Sequence, residues 1–354
     1  MTAAALEVLK SDIRDVRLQD RPSAPLAPGE ARLRPDALAL TANTVTYAVV
    51  GERIGYWRFF PCQDDARGLV PAWGFATCTE SRADGMSVGD RFFGCWALAQ
   101  ALTVVVKPAS DGFIDIAPRR EGLAPLYARY HTAPQGDPDA EARRALLQPL
   151  LGTGWLLTDY IGDHDRFGAE RAVLSAASSK TSIGLAAGLK QAGMPVTGLT
   201  SSGNRAFVEG LGLYDDVLLY DVLPNALARV PSIFVDMAGS APVRQAVHQA
   251  LAGGRLVRSI GVGAAHWQQI AAAPDLPDPQ PEFFFAPAWS QKRVEDWGGE
   301  TLLRRMGEGL AARMAESRDW LSVETRPLAA LPAAWAEVAE GRQSPSAGVM
   351  IDLS

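Results

Sequence analysis

The stretch from Arg171 to Asp221 decides the fold; it reads RAVLSAASSKTSIGLAAGLKQAGMPVTGLTSSGNRAFVEGLGLYDDVLLYD. Three apolar runs, Ala172–Ala177, Pro195–Thr200 and Asp216–Tyr220, have the length and composition of buried strands. A polar loop of small residues, Ser178–Ser182, and a helix with an apolar face separate the first run from the second. This alternation of strands and helices predicts a doubly wound parallel sheet in an α/β protein.

The loop after the first strand is a candidate phosphate site. It would lie at the N-terminus of a helix, where main-chain N–H groups and the helix dipole favour an anion. Hydroxyl groups can hydrogen-bond a phosphate, and a lysine can neutralise it. The candidate residues are Ser178, Ser179, Lys180, Thr181, Ser182 and Gly184. A serine-rich turn that only caps the helix is the alternative.

Composition excludes several classes of protein. The 354 residues suit one or two domains, and the hydrophobic share of 47% provides for a sizeable core. A net charge of -6 argues against binding to nucleic acid or to an anionic membrane. No apolar run reaches the length needed to span a bilayer, and the charged N-terminal residues do not form a signal peptide. Three cysteines without C-x-x-C spacing suit a reducing compartment, so we expect a cytoplasmic protein; they are Cys62, Cys78 and Cys95.

The first 115 residues are predicted to be mostly β-strands separated by Gly, Pro and Asp, as in a small barrel or sandwich. The segment Thr44–Val50 is read as one of these strands. Residues 116–140 are predicted to be a surface excursion. A helical pattern follows from Asp139 to Ile161, and its Pro149 indicates either a kink or two helices.

Beyond Asp221 the alternation continues, with predicted strands at Ser232–Gly239, Arg255–Gly263 and Glu282–Ala286. The tail, with a strand at Gly348–Leu353, is expected to pair back onto the first domain. We therefore predict one domain of residues 1–145, completed by 320–354, and a dinucleotide-binding domain of residues 146–319.

Several motifs resemble the medium-chain dehydrogenase/reductase superfamily near its zinc-free quinone-oxidoreductase branch. They include Leu38–Gly51, the V-G-D-R-F-F-G run at Val88–Gly94, and Phe234–Gly239 followed by Leu251–Val257. More narrowly, Ser178–Gly184 resembles an uncharacterised bacterial family, DUF2855. The resemblance implies an α/β protein with a GroES-like β-barrel domain plus a Rossmann doubly wound parallel-sheet domain. The family's phosphate loop is glycine-rich, whereas only Gly184 remains here.

The end of the second predicted strand favours NADP(H) over NAD(H). NAD-binding proteins usually place Asp or Glu there, whereas Thr200, Ser201 and Arg205 belong to a segment without an acid. Hydroxyls and a guanidinium suit a 2′-phosphate. A serine that caps a helix, with Arg205 in solvent, is the alternative, and both can hold together. By resemblance, the adenine and nicotinamide would be lined by Tyr220, Ala238, Gly239, Gly261 and Val262.

The catalytic residues are predicted without a metal. The four histidines are scattered and have no cysteine partners at ligand spacing; they are His131, His164, His248 and His266. By resemblance, Tyr47 would supply a proton, Asn43 would orient the substrate or nicotinamide, and Thr46 stands where the family often has Asp. A tyrosine in a β segment that only packs is the alternative.

The predicted function is an NADPH-dependent, zinc-free oxidoreductase. It would transfer hydride to a carbonyl or an activated C=C bond of a small apolar or aromatic substrate, such as a quinone or enone. The alternative is a catalytically silent sensor or scaffold that binds NADP(H). A homodimer formed through edge strands follows from the family alone.

Overall fold

The computed structural model describes residues 2–223, 225–262 and 276–354. They form two compact units, one of residues Met1–Leu146 with Leu321–Ser354, and one of Leu147–Trp320. We call them the barrel unit and the parallel-sheet unit.

The barrel unit is built mainly from strands. They are β1 (Thr2–Leu9), β2 (Asp12–Pro22), β3 (Glu30–Leu40), β4 (Arg67–Leu69), β5 (Pro71–Ser81), β6 (Arg91–Ala97), β7 (Leu102–Ala109), β8 (Gly112–Asp115), β9 (Arg129–Thr132), β16 (Ser322–Pro327) and β17 (Ala347–Asp352). Its short helices are α1 (Ala42–Val49), α2 (Gly51–Ile54) and α9 (Leu331–Ala339).

Six strands close into a barrel. Their order is β3-β5-β6-β9-β8-β7, and β7 pairs again with β3. Closure leaves no exposed edge among these strands. β17 lies antiparallel on the other side of β3, so the predicted return of the tail is confirmed.

The predicted strand at Thr44–Val50 is wrong, because these residues form helix α1. Thr41 precedes the helix, and its main-chain N–H donates to the hydroxyl of Thr44 at 3.2 Å. Thr44, Tyr47 and Ala48 are buried, which is the spacing of one helix face. Burial of this face outweighs the strand preference of the β-branched residues.

A further expectation needs correction. Residues 116–140 are not only a surface excursion, because β9 pairs with β6 and β8 and its Tyr130 is fully buried. Of the two alternatives for the helical pattern that follows, two helices is wrong, because the pattern forms one helix, α3 (Pro138–Asp163), with Pro149 inside it. The hydroxyl of Thr153 donates to the carbonyl oxygen of Pro149 at 2.9 Å.

The parallel-sheet unit contains most of α3 and a six-stranded sheet. Its strands are β10 (Arg171–Leu174), β11 (Val196–Thr200), β12 (Asp216–Leu219), β13 (Ser232–Asp236), β14 (Leu256–Val262) and β15 (Glu282–Phe284). Its other helices are α4 (Lys180–Gln191), α5 (Arg205–Gly210), α6 (Ala241–Ala250), α7 (Ala286–Trp297) and α8 (Gly299–Trp320).

The predicted doubly wound sheet is confirmed. The strand order is β12-β11-β10-β13-β14-β15, and every pairing is parallel. The chain therefore reverses its winding between β10 and β13. In open α/β sheets, ligands bind outside the carboxyl ends of the strands at this reversal.

Helices α3 and α4 approach each other closely through glycine. A Cβ atom on Gly154 would lie 2.5 Å from the main-chain nitrogen of Leu185 and 2.7 Å from the carbonyl carbon of Gly184. Both contacts are with backbone, which cannot move aside without shifting the helix. Gly184 thus has a packing role, as the last glycine of dinucleotide-binding loops often has.

We expect Gly154→Ala to destabilise the parallel-sheet unit by about 2 kcal/mol, because the overlap outweighs the better helix propensity of alanine. Scanning calorimetry measures the loss. The matched control is Gly162→Ala in the same helix, where nothing lies within 4 Å of the added Cβ. An equal response of the two variants would contradict the close approach.

Candidate functional site

The turn from β10 into α4 is the centre of the predicted cofactor site. The strand ends at Leu174 and the helix begins at Lys180, so both boundaries lie three residues before the predicted ones. Lys180, Thr181 and Ser182 therefore belong to the first helical turn rather than to a loop. Ala176 has a φ of 46°, a left-handed conformation that glycine adopts at less cost.

Side chains from the segments that follow β11 and flank β12 hold this turn in place. The main-chain N–H of Ala176 donates to the hydroxyl of Tyr220 at 2.9 Å, and the hydroxyl of Tyr214 donates to the carbonyl oxygen of Ala177 at 2.7 Å. The side-chain amide of Asn204 donates to the hydroxyl of Ser178 at 3.2 Å. Tyr220 and Ser178, which were both predicted to belong to the cofactor site, thus lie at this turn.

Ser179 caps α4. Its hydroxyl oxygen accepts from the main-chain N–H of Ser182 at 3.2 Å. The buried hydroxyl of Ser182 donates to the carbonyl oxygen of Ser175 at 3.1 Å. The capping role considered for this serine-rich segment is thereby confirmed for Ser179, and the N-terminus of the helix keeps its preference for an anion.

Lys180 is the first residue of α4 and is partly buried. Burial lowers the pKa of its ammonium group from 10.5 to about 8, because the charged form loses hydration. Lys180 is therefore a cation at neutral pH that titrates close to the physiological range. An anion beside it would favour its charged form.

A hydrogen-bonded bridge joins the two strands on either side of the reversal. The hydroxyl of Ser175 donates to Oδ1 of Asp236 at 2.8 Å and accepts from the main-chain N–H groups of Met237 and Ala238 at 2.9 and 3.0 Å. Oδ1 of Asp236 also accepts from the N–H of Gly239 at 3.0 Å. The main-chain N–H groups of Ala238 and Gly239, which were predicted to line the cofactor, thus donate hydrogen bonds within the protein.

Sequence reasoning assigned no role to this bridge. The only available signals were the small polar character of Ser175 and the apolar surroundings of Asp236. Gly261 lies opposite Asp236 in the parallel register, with Val262 after it at the end of β14. These residues share the carboxyl edge of the sheet.

The residues predicted to select NADP(H) lie at the end of β11 and just after it. Thr200 is its last residue and is buried, whereas Ser201 and Arg205 are exposed. Nε of Arg205 donates to Glu209 one helical turn later at 2.7 Å. Exposed pairs of this kind contribute little to stability, so this guanidinium can exchange partners at low cost.

In the barrel unit, α1 places the three predicted catalytic residues at positions i, i+3 and i+4 of one helix. Tyr47 is buried, and its hydroxyl oxygen accepts from the amide of Asn43 at 2.7 Å and from Nε1 of Trp73 at 3.0 Å. Sequence reasoning missed this role of Trp73. The hydroxyl of Thr46 donates to the carbonyl oxygen of Ala42 at 3.0 Å, within the helix.

The arrangement around Tyr47 suits a neutral proton donor. Its oxygen already accepts two hydrogen bonds, so the hydroxyl proton is what it can offer to a further group. Burial raises the pKa of Tyr47 well above its usual value, so the hydroxyl stays protonated across physiological pH. Aromatic rings surround it, with the centroids of Tyr56 and Tyr127 at 4.6 and 5.9 Å.

No group of three or more His, Cys, Asp or Glu side chains suited to a metal ion occurs among the described residues. Of the four histidines considered in the sequence, His266 lies outside these residues. None of the described helices has both the length and the apolar character that crossing a membrane would require.

A model of the family described as "Protein of unknown function (DUF2855)" matches residues 38–344. No curated protein sequence matches the chain significantly. Among solved structures, the chain is similar to the quinone oxidoreductase from Coxiella burnetii, with a TM-score of 0.60 and 13% identity over 99% of both chains.

Two similar structures carry a nucleotide. The yhdH oxidoreductase from Salmonella enterica in complex with NADP has a TM-score of 0.57 and 14% identity over 100% of both chains. CurA from Vibrio vulnificus in complex with NADPH has a TM-score of 0.56 and 16% identity over 95% of this chain and 94% of its own. At such identities the likeness speaks for the fold, and it confirms the predicted GroES-like barrel with a Rossmann sheet.

We expect Ser175→Ala to lower the free energy of unfolding by about 2–4 kcal/mol, because it removes a bond to a buried carboxylate and leaves the amide of Met237 short of an acceptor. Calorimetric or denaturant unfolding measures the change. Ser202→Ala, at an exposed serine of the same unit, is the control and should stay within about 0.5 kcal/mol of the wild type. A comparably small loss for Ser175→Ala would contradict the bridge.

Proposed function

This chain belongs to the family described as "Protein of unknown function (DUF2855)", and we propose that it is an NADP(H)-dependent, zinc-free oxidoreductase. Its substrate would be a small apolar or aromatic molecule with a carbonyl or an activated C=C bond, such as a quinone or enone. The bound nicotinamide would supply or take up the hydride.

The observation that carries the proposal is the turn from β10 into α4. It lies at the reversal of a sheet with the strand order of dinucleotide-binding domains. The capped N-terminus of α4 and the cation of Lys180 suit a phosphate, although the glycines of the usual loop are absent. The NADP and NADPH named for two similar structures support the same choice of cofactor.

Selection of NADP(H) would rest on Arg205. No acid lies between Thr200 and Arg205 to hold an unphosphorylated ribose. The exposed guanidinium of Arg205 can leave Glu209 for a 2′-phosphate, to which it can donate two parallel hydrogen bonds.

The chemical step would use Tyr47 as the proton donor. Reduction of a carbonyl or enone needs a proton after hydride transfer, and the neutral hydroxyl of Tyr47 is held in place by Asn43 and Trp73. The surrounding tyrosine and phenylalanine rings suit an apolar or aromatic substrate.

A nucleotide titration tests the cofactor. We expect NADPH to bind more tightly than NADH, with Arg205→Ala removing most of the difference. The affinity of the wild type for NADPH should fall about tenfold from pH 7 to pH 9, because Lys180 loses its proton as the pH rises through about 8. Quenching of tryptophan fluorescence measures both effects.

Lys180→Arg is the matched control, since arginine stays charged and should remove the pH dependence while keeping tight binding. Lys180→Met should bind weakly at both pH values. If the wild type binds neither nucleotide, the proposed function fails.

We expect Tyr47→Phe to reduce turnover of quinones, enones or aldehydes about a hundredfold while leaving NADPH affinity unchanged. Tyr56→Phe is the control, because the hydroxyl of Tyr56 contacts that of Tyr127 at 3.0 Å. An equal loss in both variants would assign Tyr47 to packing. NADPH binding without turnover of any substrate by the wild type would favour a silent sensor.

A further inference from the structure

A cavity lies in the barrel unit, lined by parts of β1, β2, β3, β4 and β7. Its volume is about 370 Å³, within the range of small-molecule sites. Its walls combine two kinds of side chain. Apolar surface comes from prolines and from Phe60, Leu69 and Leu102, and charge comes from Arg21, Arg32, Arg119 and Glu30.

The arginines of this cavity are bonded mainly to uncharged groups. Arg21 donates through Nη2 to the carbonyl oxygen of Pro61 at 2.8 Å. Arg32 donates through Nη2 to that of Ala24 at 2.6 Å. Carbonyl oxygens satisfy donors without cancelling the positive charge. Within the described part of the chain, the buried Nε of Arg21 has no hydrogen-bond acceptor.

Arg119, a third arginine of the lining, repeats this pattern. It donates through Nε to the carbonyl oxygen of Phe59 at 2.9 Å and through Nη2 to that of Thr103 at 3.2 Å. Its carboxylate partner, Asp115, is shared with Arg120. Burial accordingly lowers the pKa of Arg119 despite that partner.

The charges around the cavity leave a positive excess. Three cations line the cavity, Arg21, Arg32 and Arg119, and the carboxylate in the lining is that of Glu30. Outside the lining, Glu80 binds Arg32 at 3.1 Å, and Asp115 is divided between Arg119 and Arg120. An oxyanion in the cavity would balance the positive charge of its lining.

We propose that this cavity binds a compact organic oxyanion, a carboxylate or phosphomonoester that carries a small apolar group. Guanidinium groups bind both oxyanions through paired, charge-assisted hydrogen bonds. The apolar group would pack against Phe60 and the neighbouring prolines. The site is separate in sequence from the residues proposed for NADP(H), so it stands or falls independently of the proposed function.

Isothermal titration of the full chain with phenyl phosphate, benzoate and inorganic phosphate tests the site. We expect phenyl phosphate or benzoate to bind more tightly than inorganic phosphate, because only they carry an apolar group. Arg21→Met should weaken binding at least about tenfold, the effect of losing a charge-assisted hydrogen bond. Ser23→Glu, which adds a carboxylate to the lining and opposes an anion there, should do the same.

Two control variants localise the effect. Arg14→Met replaces an exposed arginine of β2, and Arg205→Met removes the arginine proposed to bind the cofactor phosphate; both should bind the probes like the wild type. The proposal is overturned if the wild type binds no probe at about 10 mM. It is equally overturned if Arg21→Met and Ser23→Glu bind normally, or if only Arg205→Met loses binding.

Discussion

The parallel-sheet unit depends on one buried carboxylate, that of Asp236, which is only 2% exposed. A buried charge is costly unless several donors surround it. Three donors converge on Oδ1, from the hydroxyl of Ser175 and the main-chain N–H groups of Ala238 and Gly239. To bring these amides back, the chain must turn sharply after β13, and Gly239 allows this with a φ of 65°. The shape of the strand ends at the reversal thus follows from solvating Asp236.

The other oxygen of Asp236 extends this polar line into α6. It faces the guanidinium of Arg244 at 3.6 Å, an ion pair slightly longer than a hydrogen bond, and Arg244 is 1% exposed. One turn later, His248 contacts the carbonyl oxygen of Pro277 through Nδ1 and the hydroxyl of Ser259 through Nε2. Burial, together with the charge of Arg244, lowers the pKa of His248 and favours its neutral form. Polar contacts therefore link β10, β13, α6 and β14 beneath the carboxyl edge.

The barrel unit also contains a buried carboxylate, but there two arginines pair with it. The buried carboxylate of Asp115 accepts from Arg119 and Arg120, and Arg120 also donates to the hydroxyl of Tyr130 at 2.9 Å. This network draws the segment after β8 inward. The prolines and charges of that segment had predicted a surface excursion, because charge usually indicates exposure. A charged side chain can be buried when a partner of opposite charge is buried beside it, and a single sequence does not reveal that partner.

The sequence was sufficient where structure is set locally, as in the apolar strands of the parallel sheet and in Ser179 at the start of α4. It failed at α1, because Thr44 and its β-branched neighbours favour a strand when considered alone. The two hydrogen bonds to Tyr47, the proposed proton donor, illustrate both cases. Asn43 lies four residues before Tyr47, so a helix would have predicted their hydrogen bond. Trp73 lies 26 residues away and meets Tyr47 only because the barrel brings β5 beside α1. Its role follows from tertiary packing, and no local pattern contains it.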